Sequence, residues 1–210
     1  MLADAKVGPV LEADGAIGPV RRTRTGAMAT SDAHARFQEA VSRGTAYCAT
    51  TGVAGTAPGT ALSTTPPYTL YNPRDSGLDV VVWIATFGYI SGTLGAGAIF
   101  WGVNNDAAQA IPSGGTELTP INLRVGAARG VARAFQESTL AAAPTALRPF
   151  CSLTALLATT AVAPYQIIEY VDGAITINPG CSVSLEGVAA AGSAPVVALA
   201  MTWEEVKRPS

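Results

Sequence analysis

The fold of this chain is decided by Leu78–Ser91, whose sequence is LDVVVWIATFGYIS. In a strand, Val80, Val82 and Ile84 would point to one face, because successive side chains alternate. The other face would be equally apolar and would carry Val81, Trp83, Ala85, Phe87 and Tyr89. A strand with two apolar faces is typical of the middle of a β-sandwich or of a contact with a neighbouring subunit.

Charged residues are scarce in this sequence and avoid long parts of it. They make up 13% of the chain, against about a quarter in an average protein. The stretches without any charge are Gly44–Pro73, Val80–Asn105, Pro149–Ile168 and Gly187–Trp203. A monomer normally has more charge on its surface, so we infer that copies of the chain or a partner cover much of this one.

The rest of the chain predicts short strands that are separated by Gly and Pro turns. Besides Leu78–Ser91, the predicted strands are Thr45–Thr50, Tyr68–Asn72, Gly97–Asn104, Val131–Ser138, Pro149–Leu156, Tyr165–Val171, Ala174–Ile177, Cys181–Val188 and Pro195–Val206, with a further short one considered at Ala61–Thr64. About ten short antiparallel strands with regular turn signals predict an all-β fold, a jelly roll or β-sandwich.

Two turns carry the strongest local signals. The glycines at 92, 95 and 97 predict that Leu78–Ser91 and Gly97–Asn104 form an antiparallel β-hairpin. The same glycines, and the absence of a following positive cluster, argue against a membrane helix over Val80–Val103. Asp172-Gly173 predicts a tight turn between two further strands.

The N-terminal part differs in composition from the rest. Residues 1–30 contain several Gly and Gly-Pro breaks and are predicted to form an extended arm, with the β domain at 31–210. Arg21, Arg22 and Arg24 in this arm could dock on an acidic partner, although a solvated tail is an alternative. Ser31–Arg43 is the one plausible helix. Alternatively, the same residues could form an extended strand that runs into the first predicted strand.

The composition excludes several functions. A net charge of −2 and a pI near 5.4 argue against a nucleic-acid binder. Asp4, Lys6 and Glu12 interrupt any signal-peptide core. The cysteines, at positions 48, 151 and 181, fit no metal or disulfide pattern and are interpreted as small buried thiols.

No catalytic site is evident, and we expect no enzyme activity, no cofactor and no metal. His34 is the only histidine and lies in the apparent leader. The closely spaced carboxylates Glu204 and Glu205 would point to opposite faces of a strand. The aromatic residues Trp83, Phe87, Tyr89 and Trp101 are assigned to core packing or to a subunit interface, with a sugar-binding platform as an alternative.

Several motifs together resemble a family of small structural proteins of tailed bacteriophages. Their order in this sequence is AHARFQEAVSRG at Ala33–Gly44, NPRDSG at Asn72–Gly77, NPG at Asn178–Gly180, GVAAAG at Gly187–Gly192 and TWEE at Thr202–Glu205. The resemblance covers about residues 30 to 206. Typical members have a Lys after the Ser-Gly turn, whereas Leu78 and Asp79 follow it here.

The resemblance implies a virion protein that is made in the host cytoplasm and lies on the capsid exterior. It would be a decoration, cement or turret protein, commonly a trimer, with the major capsid protein and its own copies as partners and with no nucleic acid or membrane. The alternative function is a receptor- or glycan-binding knob of a head fibre or tail. That alternative needs exposed aromatic or polar groups such as Tyr68, Tyr71 or Asn104–Asp106.

Overall fold

The computed structural model describes residues 35–154, 166–190 and 192–208. The chain divides between Glu39 and Ala40, and the whole β-sandwich lies in the second unit. The predicted arm at 1–30 and the first four residues of the predicted helix lie outside the described residues. The described part of that helix is α1, which spans Gln38–Arg43.

The described residues form two antiparallel sheets. The strands are β1 (Ala46–Thr50), β2 (Tyr68–Tyr71), β3 (Leu78–Ser91), β4 (Gly97–Asn104), β5 (Thr116–Leu118), β6 (Ile121–Asn122), β7 (Arg133–Gln136), β8 (Thr145–Leu153), β9 (Gln166–Ile177), β10 (Ser182–Val188) and β11 (Val196–Lys207). The five-stranded sheet has the order β6-β1-β11-β3-β9, and the six-stranded sheet has the order β5-β7-β2-β10-β4-β8.

The strand pairing is nested from the ends of the chain inward. β1 pairs with β11, β2 with β10, β3 with β9 and β4 with β8, all antiparallel. This is one long hairpin rolled over itself, with successive strands placed in alternate sheets, and it is the topology of a jelly roll. The predicted all-β sandwich is therefore confirmed. β5, β6 and β7 are an insertion between β4 and β8 that extends both sheets.

The core lies between the two sheets and is built from their inward-facing side chains. Trp203 of β11 and Tyr47 of β1 face each other in register, with ring centroids 6.2 Å apart. The Tyr68 hydroxyl donates to the Ala49 carbonyl across the sandwich, which joins the sheets inside the core. Both Trp203 and Tyr68 are fully buried, and residues of this size contribute most of the hydrophobic stabilisation.

β3 contains a bulge at Trp83 that the simple alternation did not predict. On the β11 side, Val82 pairs with Trp203 and Ile84 pairs with Thr202, so Trp83 is an extra residue. Because of this bulge, the inward-facing set changes from Val80 and Val82 to Ala85 and Phe87, all of which are fully buried. Ile84 therefore faces outward, contrary to the sequence-based prediction.

The Asp172-Gly173 pair forms the matching irregularity in β9. Both residues have positive φ, 53° and 81°, as predicted for a turn. They do not separate two strands, however, because β9 is continuous from Gln166 to Ile177 and bulges opposite Trp83. A tight-turn sequence can equally form a bulge when both flanking segments pair with the same strand.

The predicted hairpin of β3 and β4 is wrong, although both strand ranges are correct. β3 pairs with β11 and β9, whereas β4 pairs with β10 and β8. Residues 92–96 therefore carry the chain from one sheet to the other. A glycine-rich connection is equally suited to a hairpin and to a crossover, so the local sequence does not distinguish them.

Smaller differences have local reasons. β8 continues through Pro149, where the predicted strand was to begin; β8 is an edge strand with a register shift beside Pro149, and both features tolerate proline. No strand forms at 61–64, and the short strands β5 and β6 were not predicted. Among the described residues, no helix is long and apolar enough to cross a membrane.

Candidate interaction surfaces

The described part of the chain has no cluster of the side chains that usually bind metal ions. Within residues 35–154, 166–190 and 192–208, no group of three His, Cys, Asp or Glu residues could hold a metal ion. His34 lies outside these ranges. The three cysteines are free and half-buried, not fully buried as the sequence suggested, and burial raises the pKa of Cys151 to about 11.

The most deeply buried carboxylate is Glu186 of β10, which points away from the core. Its side chain accepts hydrogen bonds from the Ser63 amide at 2.8 Å and from the Ser184 hydroxyl at 2.7 Å. Burial raises the pKa of Glu186, and these two hydrogen bonds oppose the rise only in part. Glu186 thereby fixes the loop at 51–67 over the outer face of the six-stranded sheet.

Further contacts close the same face. The backbone amides of Gly187 and Ala189 donate to the carbonyls of Pro58 and Thr60 in that loop. The Ser182 hydroxyl donates to the Gln109 side chain, which is itself buried. All residues of β2 are buried, as is β10 as far as Gly187, so these two central strands of the sheet are covered on both faces.

Glu205 of β11 anchors the insertion between β4 and β8. Its carboxylate accepts hydrogen bonds from the Val131 and Ala132 amides, each at 2.9 Å. The neighbouring Glu204 accepts from the Thr45 hydroxyl at 3.2 Å. Glu205 therefore holds a loop through distant backbone amides, and Glu204 binds a distant hydroxyl; neither partner could be predicted from the sequence.

The structure places most of the predicted interface aromatics inside the single chain. Trp83, Phe87 and Trp101 are buried, and Tyr89 is half-buried, with its hydroxyl donating to the Gly92 carbonyl. Their burial leaves little of these side chains to contact a second copy. Trp101 lies in the six-stranded sheet and the other three lie on β3, so they do not form one face.

Trp101 belongs to a polar cluster between the free edges of β8 and β9. Its indole N–H donates to Glu169 at 2.8 Å, and Glu169 also forms an ion pair with Arg148. The Arg148 guanidinium lies 5.9 Å from the centre of the Trp101 ring, and Phe150 packs edge-on against that ring. This cluster joins the two sheets along one side of the sandwich.

Most residues that the glycan-binding alternative requires are buried or already hydrogen-bonded within the chain. Tyr68 and Tyr71 are buried, and the Tyr71 hydroxyl donates to the Gln109 carbonyl. The Asn104 side chain donates to Ala142, and Asp106 accepts from the Ala108 amide. A crevice of about 230 Å³ beside Asn104 lies between β4, β8, β9 and β10, and aliphatic side chains such as Val103, Leu147 and Ile175 line much of it.

The two ends of the jelly roll differ in charge. Connections 51–67, 92–96 and 189–195 meet at one end, where the Thr93 amide donates to Ser193 and the Thr56 amide donates to Val197. Each of these connections lies within one of the charge-free stretches of the sequence, so the three connections carry no charged residue. We call it the uncharged end. Glu137 approaches it from the side, where it accepts a hydrogen bond from Thr56 at 2.5 Å.

The opposite end carries the charges and both chain ends of the sandwich. Here the Asn72 side chain donates to the carbonyls of Leu78 and Ile177, and the Gly180 amide donates back to Asn72. The two Asn-Pro motifs, which begin at Asn72 and Asn178, therefore pack together as structural turns. Exposed basic groups are also found here, such as Arg208, which pairs with Asp79 at 3.2 Å.

A third surface is the outer face of the five-stranded sheet, which we call the open face. Its longest row crosses all five strands in register: Ile121, Cys48, Thr202, Ile84 and Tyr170. The next row contains Thr50, Ala200, Thr86 and Ile168, and the one after it Ala198, Gly88 and Gln166. None of these residues is charged, and all are half-buried or exposed.

The boundaries of the open face are marked by charge and by the edge of the sheet. The first charged residues beyond the longest row are Glu204, which pairs in register with Ala46 and Val81, and Asp172, which follows Tyr170 by two positions on β9. At its free edge, Tyr170 is 60% exposed and Ile168 is 47% exposed, and Ile121 on the opposite edge is 63% exposed. Large apolar side chains therefore remain accessible at both edges of an uncharged surface.

Comparison of the chain with models of known protein families, with curated proteins and with solved structures finds no match. The class that the fold defines is a single jelly-roll β-sandwich with a short insertion.

Proposed function

We propose that this chain is a non-enzymatic structural protein of a tailed-phage virion, a decoration or cement protein on the outside of the head. The resemblance of the ordered motifs, from Ala33–Gly44 to Thr202–Glu205, points to this class. The buried carboxylates support a structural role, because Glu186 and Glu205 each bind backbone amides of the same chain. Such a protein acts mechanically, since binding only to the assembled lattice stabilises that lattice.

The observation that carries the proposal is the separation of charge between the two ends of the roll. The chain enters the sandwich through α1 and β1 at the charged end, where β11 also leaves it. We expect the capsid to be bound by this end together with the predicted arm at 1–30. Arg21, Arg22 and Arg24, which lie outside the described residues, would meet carboxylates of the major capsid protein, for which guanidinium groups are well suited.

This arrangement gives the protein an orientation on the shell. The charged end would face the capsid, and the uncharged end would point away from it. Basic side chains near the C-terminal end of β11, including Lys207 and Arg208, would add to the attraction exerted by the arm. We expect this attraction to weaken as salt concentration rises, because exposed charge pairs are screened.

The test is binding of the purified protein to phage heads that lack it, measured by co-sedimentation. The full chain should bind, and deletion of residues 1–29 should weaken binding while leaving a folded β domain. Replacement of Arg21, Arg22 and Arg24 by Ala should also weaken binding, most strongly at low salt. The matched variant with Lys at these positions keeps the charge and should bind better than the Ala variant.

Two results would contradict the proposal. If antibodies against this chain label the tail tip of virions and leave the head unlabelled, the knob alternative replaces it. If the truncated chain binds heads as tightly as the full chain, the arm is not the attachment element.

A further inference from the structure

The open face differs from other parts of the surface because the described loops do not close it. On the six-stranded sheet, the outer face of the central strands β2 and β10 is covered by the loop at 51–67 and by Gln109. On the five-stranded sheet, β11 alternates between buried and half-buried residues, so its outward side chains remain in contact with solvent. An antiparallel sheet normally packs an apolar face on the core and exposes a polar face to water. The exposed face of this sheet is unusual because its three rows carry no charge.

The chemistry of the open face suits contact with another uncharged protein surface. Thr86, Thr202 and Cys48 are small, and Ile84 and Tyr170 add apolar area at the centre and the edge. Burial of a charged group costs free energy unless the group is paired, and this face has no charge to bury. Two copies of the face could meet without bringing like charges together.

The free edge of β9 adds hydrogen-bonding groups beside this face. β9 is the edge strand, so the outward-pointing amides and carbonyls of its first half have no strand partner among the described residues. Proteins usually protect such an edge with proline, charge or a bulge. The bulge at Asp172 lies beyond this half, and its one charged residue, Glu169, is bound to Trp101 and Arg148.

The size of the open face also fits an interface. The three rows contain twelve residues, and spacings of about 4.8 Å between strands and about 6.8 Å between rows give them about 400 Å². That is about half of the about 800 Å² that each partner buries in a standard interface. The free edge of β9 would supply part of the remainder.

We propose that the open face, together with the free edge of β9, is the surface on which a second copy of this chain docks. The face lies on the flank of the roll, between the charged and uncharged ends. Copies that stand side by side in the same orientation therefore contact each other through their flanks. The inference rests on the surface chemistry and does not depend on the proposed role in a phage head.

The test is sedimentation velocity of the full chain and of charge-inserting variants at micromolar concentration. The wild type should form a discrete oligomer, and Thr86→Arg and Thr202→Arg should each convert it to a monomer. Thr116→Arg is the matched control, because Thr116 is exposed on the distant edge of the other sheet. That variant should remain oligomeric.

A second measurement keeps the test valid if an arginine variant fails to fold. A chain with Cys151→Ser and Cys181→Ser has Cys48 as its only thiol, and Cys48 lies in the longest row of the open face. Its reaction with a maleimide should slow at least about tenfold as protein concentration rises through the association range. A wild type that is monomeric, an oligomer unchanged by either arginine on the open face, or a Cys48 rate independent of concentration would overturn the proposal.

Discussion

The outer faces of the two sheets differ in how accessible they are to solvent. On the six-stranded sheet, the outward residues of β2 and β10 are polar, and the chain covers them with its own loops. On the five-stranded sheet, the outward residues are less polar but stay accessible. Polarity in the sequence therefore does not indicate which surface is exposed, because a loop with suitable hydrogen-bonding groups can bury Thr, Ser and even Glu186.

The largest effect is expected from the same substitution on the two faces. Thr69 faces outward on β2 and is buried, whereas Thr86 faces outward on β3 and is half-buried. Thr69→Glu buries an unpaired charge and should lower the free energy of unfolding by about 4 kcal/mol or more. Thr86→Glu should cost about 1 kcal/mol or less in the monomer. Urea denaturation at low protein concentration measures both, and equal losses would show that the faces are equally covered.

Removal of the carboxylate that holds the covering loop should have the next largest effect. Glu186→Ala leaves the Ser63 amide without its acceptor and should cost about 2–3 kcal/mol. Glu186→Gln keeps an acceptor and should cost clearly less. Glu204→Ala is the matched control on the other sheet, because its single bond to Thr45 is half-buried. Thermal denaturation compares the three variants. If Glu186→Ala lowers stability no more than Glu204→Ala does, Glu186 does not hold the covering loop.

The cluster between the free edges should contribute less. Glu169→Ala leaves the buried Trp101 indole N–H without an acceptor and should cost about 1–2 kcal/mol. Arg148 is 41% exposed, so its ion pair with Glu169 is screened by solvent, and Arg148→Ala should cost about 1 kcal/mol or less. Tryptophan fluorescence during unfolding reports both variants. A larger loss at Arg148 than at Glu169 would mean that the ion pair, and not the indole bond, joins the sheets.

The smallest expected effect is a pH dependence that belongs to the covered face alone. Burial raises the folded-state pKa of Glu186 above its unfolded value of about 4.3. The folded state therefore holds this proton more tightly, so the contribution of Glu186 is present at low pH and is lost as pH rises through the folded pKa. Melting temperatures between pH 4 and pH 8 should show wild type losing stability relative to Glu186→Gln over this range. Parallel pH profiles would contradict this assignment.

Much of the fold could be predicted from local patterns. The ranges of β3 and β4 match the prediction, and β10 and β11 match within one residue, because apolar runs bounded by Gly or Pro define strands well. The pairing could not be predicted in the same way. The glycines after Ser91 permit a hairpin or a crossover, and only contacts distant in sequence, such as those of β3 with β11, decide between them.

The candidate surfaces could be predicted only in part. The charge-free stretches indicated correctly that charge is unevenly distributed, but not that their turns meet at one end of the roll. The bulge at Trp83 moved Ile84 to the outer face and kept Phe87 inside, which a strict alternation could not show. The aromatic residues predicted to form an interface are large, and large aromatic residues are also those that a core buries first.

The central claim is that the chain covers one sheet itself and leaves the other for a second copy. Hydroxyl-radical footprinting with mass spectrometry tests it on two tyrosines, because Tyr71 is 1% exposed under the loops and Tyr170 is 60% exposed on the open face. At concentrations where the chain is monomeric, Tyr170 should be oxidised rapidly and Tyr71 should be protected. As the chain associates, Tyr170 should become protected and Tyr71 should not change. Oxidation of Tyr71 as fast as Tyr170 in the monomer, or oxidation of Tyr170 that does not fall with concentration, would contradict the claim.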